Sequence, residues 1–359
     1  MHTYSDEQKE KYRKFSTKLR DVFGIKPTTR YFAVGSLSSL LSNEDFSYIV
    51  IRGDIKHFFD SVDTNKISAR IREKTILTRS EDLALKNILF DSTLEGLPQG
   101  NPAASVLAEI ALEKFDRYVT SNIRPAFYTR YVDDFILVFY DDCFTNYSQI
   151  IKSNLSIELE KQNLTLSSEK FKIIKFSKNT TFDFLGYNFR NNLESKLEIT
   201  ISKNKIANIK QKIVKVLKNY EKSSQCNSDT LRMVMQIQNI VFGVITYDNQ
   251  GHKQRSGLLF DYTLLNKDNQ LKLLKKFMYR EIKRNKLNKK ARQQIAAIAT
   301  KIENIDLQNK GKFIINYTEM KKEKIIKIIK ALDWSYVPST GADRKRVVQD
   351  LFIKIYKKK

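Results

Sequence analysis

The sequence predicts an α+β domain followed by an all-α one, and three observations carry that reading. Aromatic and β-branched runs read as strands in the part up to residue 201. Helical patterns lie between them, in the order β-α-α-α-β-β-α-β-β. After about residue 203 the chain is rich in Lys and Ile, with apolar residues three and four apart. Taken in order, residues 1–25 read as a polar, lysine-rich helix that ends near Gly24, with Pro27 just beyond. A strand over 46–55 contains Tyr48-Ile49-Val50-Ile51 and ends at Asp54. Helices follow at roughly 64–74 and 80–91. The segment Glu95-Gly96-Leu97-Pro98-Gln99-Gly100-Asn101-Pro102 holds two of the five prolines and reads as a loop. Ala103 to Val119 is a helix with Val106, Leu107, Ile110 and Leu112 on its buried stripe. Phe127 to Val132 and Phe135 to Tyr140 form a hairpin around Asp133-Asp134. A helix near 146–162 leads to strands at about 171–176, Phe182 to Phe189, and 196–201.

Composition narrows the function. The formal net charge is +24 at a pI near 9.7. Such an excess repels itself in a compact state, and a polyanion relieves the repulsion; nucleic acid is the commonest such partner. The excess lies toward the C-terminus, where residues 271–359 carry 25 Lys and Arg against 8 Asp and Glu, a difference of +17. Lys283, Arg284 and Lys286 belong to a basic cluster there that suits a phosphate track, although a solvated helix face has the same pattern. Three histidines and two cysteines, Cys143 and Cys226, match no metal spacing. The polar N-terminus is no secretory signal, and no apolar run is long enough to span a bilayer. The expectation is a reduced, cytoplasmic protein with no membrane contact.

Three segments carry chemistry. Asp133 and Asp134 sit together at the tip of an apolar hairpin, where adjacent carboxylates repel and burial is costly. A hard divalent cation such as Mg²⁺ removes that cost, and two such ions activate a 3′-hydroxyl and steady a leaving pyrophosphate. An ordinary turn also favours Asp, so the pair needs company. Arg52-Gly53-Asp54-Ile55-Lys56-His57-Phe58-Phe59-Asp60 supplies it, provided that its strand lies beside the hairpin and aims Asp54 into the same cleft. Phe58 reads as core, whereas the Phe59 ring is placed to stack under a sugar and exclude a 2′-hydroxyl. Gly96-Leu97-Pro98-Gln99-Gly100 precedes a helix N-terminus, a setting for phosphate or sugar groups.

Asp54-Ile55-x-x-Phe58-Phe59-Asp60, Gly96-Leu97-Pro98-Gln99-Gly100 and Tyr131-Val132-Asp133-Asp134 resemble, in order, motifs A, B and C of the reverse transcriptases. Leu164-Thr165-Leu166-Ser167-Ser168-Glu169-Lys170 resembles motif D, and Phe184-Leu185-Gly186-Tyr187 the turn after it. The resemblance covers about residues 46–190. It implies a right-hand polymerase with short fingers and N-terminal helix (1–45) and an RRM-like antiparallel palm (46–201). An all-α thumb and helical C-terminal region (202–359) follow. It implies that Asp54, Asp133 and Asp134 bind two Mg²⁺ ions and that Phe59 is the gate favouring deoxynucleotides. Gln99 and Ile55 would meet the incoming nucleotide, and Arg30 its triphosphate from the fingers. Tyr131 would pack near the primer end and Gly186 against nucleic acid. Lys170 would protonate pyrophosphate, a role for which Lys172 is a neighbouring candidate.

Only 53 residues precede Asp54, so short fingers are expected. The signatures of retron enzymes are missing, and the run Gly100 to Ile110 looks like bacterial abortive-infection and defence reverse transcriptases. The implied partners are an RNA template, such as a dedicated non-coding RNA, a DNA product, dNTPs, and a protein partner or second copy. The expected activity is RNA-directed DNA synthesis in antiphage defence. Template-independent or protein-primed synthesis by the same site is the alternative, as is a silent RNA-binding scaffold. Three mutually repelling acids have no physical reason to persist in a scaffold.

Overall fold

The computed structural model describes residues 4–43, 46–90, 95–98, 100–141, 148–194, 196–248 and 251–356. It divides into two compact units, residues 1–185 with 190–197, and residues 186–189 with 198–359. The fold is mixed α/β, with mostly antiparallel strand pairs and many helices.

In the first unit, helix α1 (Asp6–Phe23) starts at a reciprocal cap. The Ser5 hydroxyl accepts from the Gln8 amide at 3.2 Å, and the Gln8 side chain accepts from the Ser5 amide at 2.9 Å. It ends at Gly24, whose φ of 63° closes the last turn. Helix α2 (Arg30–Leu41), capped by Thr29, was not evident from sequence. It buries Ala33, Val34, Leu37 and Leu41 but leaves Tyr31 and Phe32 63% and 64% exposed, which blurs the apolar stripe. Strand β1 (Tyr48–Asp54) follows, then α3 (Phe58–Ser61), α4 (Thr64–Lys74) and α5 (Arg79–Leu89), the last two capped by Asp63 and Thr78. Helix α6 (Ala104–Tyr118) runs into a π turn over Val119–Ile123. After β2 (Phe127–Tyr131), β3 (Asp134–Tyr140) and α7 (Ser148–Glu160) comes β4 (Lys172–Phe176).

These four strands form one antiparallel sheet in the order β2-β3-β1-β4. Ile49, Ile51, Phe135 and Leu137 of the sheet pack with Leu107, Leu112 and Phe115 of α6 in the main core. The central pair β1·β3 brings Gly53 opposite Phe135. A Cβ on Gly53 would lie only 2.1 Å from the Phe135 ring, so glycine here makes room for the aromatic that covers it.

The sequence places a single strand over Phe182 to Phe189, whereas the structure splits it into β5 (Thr181–Phe184) and β6 (Tyr187–Asn191). Leu185 and Gly186 turn between them with φ of 46° and 77°. With β7 (Leu197–Ile201) they make a three-stranded sheet in chain order.

The second unit is helical but not all-α, which corrects the expectation for 202–359. Helices α8 (Lys203–Glu221) and α9 (Asn227–Phe242) are followed by a hairpin of β8 (Val244–Tyr247) and β9 (Lys253–Ser256). Then come α10 (Leu258–Asp261), α11 (Asn269–Arg284) and α12 (Lys289–Glu303), and strand β10 (Ile315–Asn316) pairs parallel to β8. Gly243 and the β-branched run after it end α9 and start the sheet. Helices α13 (Lys322–Leu332) and α14 (Arg344–Tyr356) pack Ile325, Ile329, Val347 and Leu351 around Tyr317 and Val244. The turn leaving α13 is tightly held. The Asp333 carboxylate accepts from the Ser335 hydroxyl at 2.6 Å and Lys354 Nζ at 2.6 Å, and the Tyr336 hydroxyl donates to Asp350 at 2.7 Å. That turn presents Trp334, the one tryptophan of the chain, 89% exposed. Among the described residues no helix is long and apolar enough to cross a membrane.

Candidate active site

Strand β1 lies directly beside the hairpin, and the register makes Asp54 the cross-strand partner of Asp134. Partners opposite one another in a sheet point to the same face, so the two carboxylates share one rim. Asp133 is next to them in the turn, and its carbonyl accepts the Ile55 amide at 3.1 Å. On the other side of β1, the Asp54 carbonyl accepts from the Ser167 amide and the Lys56 amide donates to Thr165 O, both at 2.8 Å. These bonds lay residues 165–170 across the strand end and bring Lys170 to Asp54, with Nζ 2.8 Å from each carboxylate oxygen. Residues 54–60, Asp133 and 165–170 line a cleft of about 440 Å³, within the size range of small-ligand pockets.

The turn that carries Asp133 is held from beneath. Val132 has a φ of 58°, a conformation that a β-branched residue adopts at a cost. Its carbonyl accepts from Arg130 Nη1 at 2.8 Å. The buried Arg130 guanidinium also donates to Asp116 at 2.6 Å and Glu109 at 2.5 Å on α6, and the Tyr128 hydroxyl donates to Asp116 at 2.5 Å. These contacts fasten β2 and its turn to α6. Burial disfavours the Arg130 charge, but the two acids outweigh it and hold the guanidinium protonated. Three successive backbone steps after Asp54 shape the other wall. His57 takes a φ of 46°, the Phe58 ring enters the core, and Phe59 stays half-buried at the cleft. The Phe59 carbonyl accepts from the Leu97 amide at 2.7 Å, and Gly96 approaches so closely that a Cβ would lie 2.0 Å from that same oxygen.

The electrostatics are those of crowded acids. Burial first, then repulsion from Asp54 and Asp134, raises the Asp133 carboxyl above its ordinary range. Burial also raises Asp134, with Asp54 adding to it and Arg52 opposing. The hydrogen bond to Asp54 raises Lys170. Among the described residues no three His, Cys, Asp or Glu side chains converge as a ready-made ion cage. Asp54 and Asp134 are each engaged by a side-chain cation, Lys170 and Arg52 respectively. The donor set still fits a hard divalent ion in kind, because it consists of carboxylates gathered at one rim that already draw two side-chain cations.

The other sequence-predicted residues fall as follows. Ile55 is 1% exposed, with its side chain in the core. Gln99 lies outside the described residues. Arg30 Nε donates to Leu185 O at 2.9 Å, which ties it to the turn before Gly186. Tyr131 ends β2 and is 37% exposed. Lys172 is exposed on β4, where it is the register partner of Arg52. In the second unit, Lys283, Arg284 and Lys286 are exposed at the end of α11. Sequence reading missed Arg52 and Arg130. Arg52 had a signal, since residues two apart on a strand share a face and it stands two before Asp54.

A family profile described as reverse transcriptase (RNA-dependent DNA polymerase) matches residues 9–189, half of the chain. The chain belongs to the reverse transcriptase family. No curated protein sequence matches it. Among solved structures, apo telomerase from Candida tropicalis is similar at 13% identity and a TM-score of 0.39, with 96% of this chain and 60% of that one covered. Telomerase from Candida albicans, solved with a fragment of telomeric RNA, is similar at 12% identity and a TM-score of 0.40, over 83% of this chain and 58% of that one. This reverse transcriptase chain thus spans little more than half the length of either.

Proposed function

We propose that the chain is an RNA-directed DNA polymerase whose reaction takes place at the rim shared by Asp54, Asp133 and Asp134. One observation carries the reading: Asp54 and Asp134 are cross-strand partners, Asp133 adjoins them, and the cleft beside them is walled by Phe59 and Lys170. The three carboxylates would hold two Mg²⁺ ions, which when bound would supply Lewis-acid activation of a 3′-hydroxyl and charge neutralisation for the leaving pyrophosphate. The chain's own residues do the rest. The Phe59 ring, pinned through its carbonyl by Leu97, sets the floor beneath the sugar and excludes a 2′-hydroxyl. Lys170 stands with its proton at the cleft, where it serves as the donor to a leaving phosphate. Tyr131 and the Leu185–Gly186 turn take the primer end, and Gln99 and Arg30 the nucleotide side. The sheet region 46–201 is the palm, with fingers before it and a thumb after it, where Lys283, Arg284 and Lys286 follow the backbone of the duplex. The run Gly100 to Ile110 supports a setting in bacterial antiphage defence.

The test is direct. Purified protein with Mg²⁺, labelled dNTPs and an RNA template should extend a DNA 3′-end. The double variant Asp133→Ala, Asp134→Ala should make no product while keeping the wild-type circular dichroism spectrum. Synthesis at the wild-type rate in that variant would contradict the assignment.

A further inference from the structure

Arg52 touches both Asp134 and the strand leading to the Leu185–Gly186 turn. It sits two residues before Asp54 on β1, so its side chain rises from the same face. Its Nε and Nη2 reach Asp134 Oδ1 at 3.2 and 3.0 Å, and Nη2 reaches Oδ2 at 3.3 Å. Its Nη1 donates to the main-chain carbonyl of Asp183 at 2.9 Å. Two residues further along, Leu185 O accepts from Arg30 Nε. Leu185 itself is a non-glycine residue with positive φ. Two guanidinium groups, from α2 and β1, therefore hold the Asp183 and Leu185 carbonyls where β5 leads into a turn of positive φ.

A planar guanidinium fixes a carboxylate in rotation as well as in place, which an ammonium, being a point charge, does not. Oδ1 of Asp134 takes two of the three contacts, so Oδ2 keeps the greater capacity for another cation. We infer that Arg52 is a positioning residue. It orients Asp134 for a divalent ion and, by holding the Asp183 carbonyl with the same group, ties that carboxylate to the turn that receives the primer end. This inference rests on the polymerase reading, because it needs Asp134 to be a metal ligand.

Charge and orientation make opposite predictions, which two variants separate. Arg52→Gln removes the positive charge and the fork. Arg52→Lys keeps the charge and removes the fork. If Arg52 acted only as a repelling cation, the first would bind metal more tightly and the second would bind it like wild type. If it orients Asp134, both weaken binding, by about ten- to hundredfold, the usual effect of removing a group that holds a metal ligand.

The experiment is a Mn²⁺ titration of the whole protein, read by electron paramagnetic resonance without nucleotide and repeated as the Mn²⁺ dependence of primer extension. Expected are weaker Mn²⁺ binding in both variants and extension that recovers at high Mn²⁺. Thermal melting should match that of Arg70→Gln, which removes a comparable ion pair with Glu113 elsewhere in the unit. Wild-type Mn²⁺ affinity in Arg52→Lys, or tighter binding in Arg52→Gln, overturns the inference. Asp134→Ala separates this from the reading beneath it. If Asp134→Ala loses Mn²⁺ and the Arg52 variants do not, only the role of Arg52 fails. If Asp134→Ala binds Mn²⁺ as wild type does, the metal site itself fails. Should Arg52→Gln not fold, Arg52→Lys alone still decides between orientation and charge.

Discussion

Gly53 precedes the first acid and faces Phe135 across the central strand pair, so adding one methyl group there tests how tightly the rim is built. In Gly53→Ala the new carbon would stand 2.1, 2.5 and 2.7 Å from the Cζ, Cε2 and Cε1 atoms of that ring. Carbon atoms in contact sit roughly 3.5–4.0 Å apart, so the ring must retreat by about 1.5 Å. It has nowhere easy to go. Phe135 is fully buried and lies edge-on to Phe115, with ring centroids 5.3 Å apart. Overpacking of this kind costs about 1–3 kcal/mol, and a displaced, fully buried ring belongs at the upper end. Leucine has no atoms where Phe135 carries Cε and Cζ, so Phe135→Leu should absorb most of the penalty. The double variant should therefore be more stable than the sum of the singles by about 1–2 kcal/mol, a normal coupling for residues in contact. Native-state hydrogen exchange at the amides of Val50 and Ile51, buried at the centre of the same strand, measures each member of the cycle. Additivity within about 0.5 kcal/mol would refute the packing account of this glycine.

Three further outcomes follow from the geometry. Burial and two neighbouring acids raise the Asp133 carboxyl, so the folded chain keeps that proton to higher pH than the unfolded chain does. Stability from this group is full below the ordinary pKa of 3.8 and lost as pH rises through the raised value. Without divalent cations, Asp133→Asn should therefore melt above wild type at pH 7, with the gap closing toward pH 4; a lower melting point at pH 7 would refute this. Arg130→Gln leaves Glu109 and Asp116 without their shared cation and should cost about 3 kcal/mol, the low end for a broken buried pair, since both acids keep some contact with water. A loss below about 1 kcal/mol in a denaturant melt would show the network to be dispensable. Reversing charge at Lys283, Arg284 and Lys286 should weaken single-stranded RNA binding and flatten its salt dependence by about 2 in log–log slope, roughly 0.7 for each phosphate contact. An unchanged slope would exclude these side chains from the interface.

The chemistry was easier to read in the sequence than its support. Asp54 and Asp133-Asp134 stood out because they fall, in order, in segments that resemble motifs of reverse transcriptases, and the structure pairs those two strands. The helices at 64–74 and 80–91 were legible too, and in the structure Asp63 and Thr78 cap their starts by hydrogen bonds within three residues. What escaped depended on distant partners. Arg52 finds Asp134 82 positions away, and Arg130 reaches back to Glu109 and Asp116 on α6. Strand β8 was read as part of a helical region, since its four residues gain strand character from Lys253–Ser256 and from Ile315 and Asn316 far along the chain. The Leu185–Gly186 turn was marked only by the motif that Phe184-Leu185-Gly186-Tyr187 resembles, although the spacing also breaks there: Phe182 and Phe184 stand two apart, as do Tyr187 and Phe189, but Phe184 and Tyr187 stand three apart.

The lone indole at position 334 has a practical consequence. Emission excited at 295 nm (about the red edge where tyrosine drops out) comes from one fluorophore, rooted in a turn that its neighbours keep stiff. Quenching on addition of RNA would therefore report strand capture within reach of that one turn of the second unit.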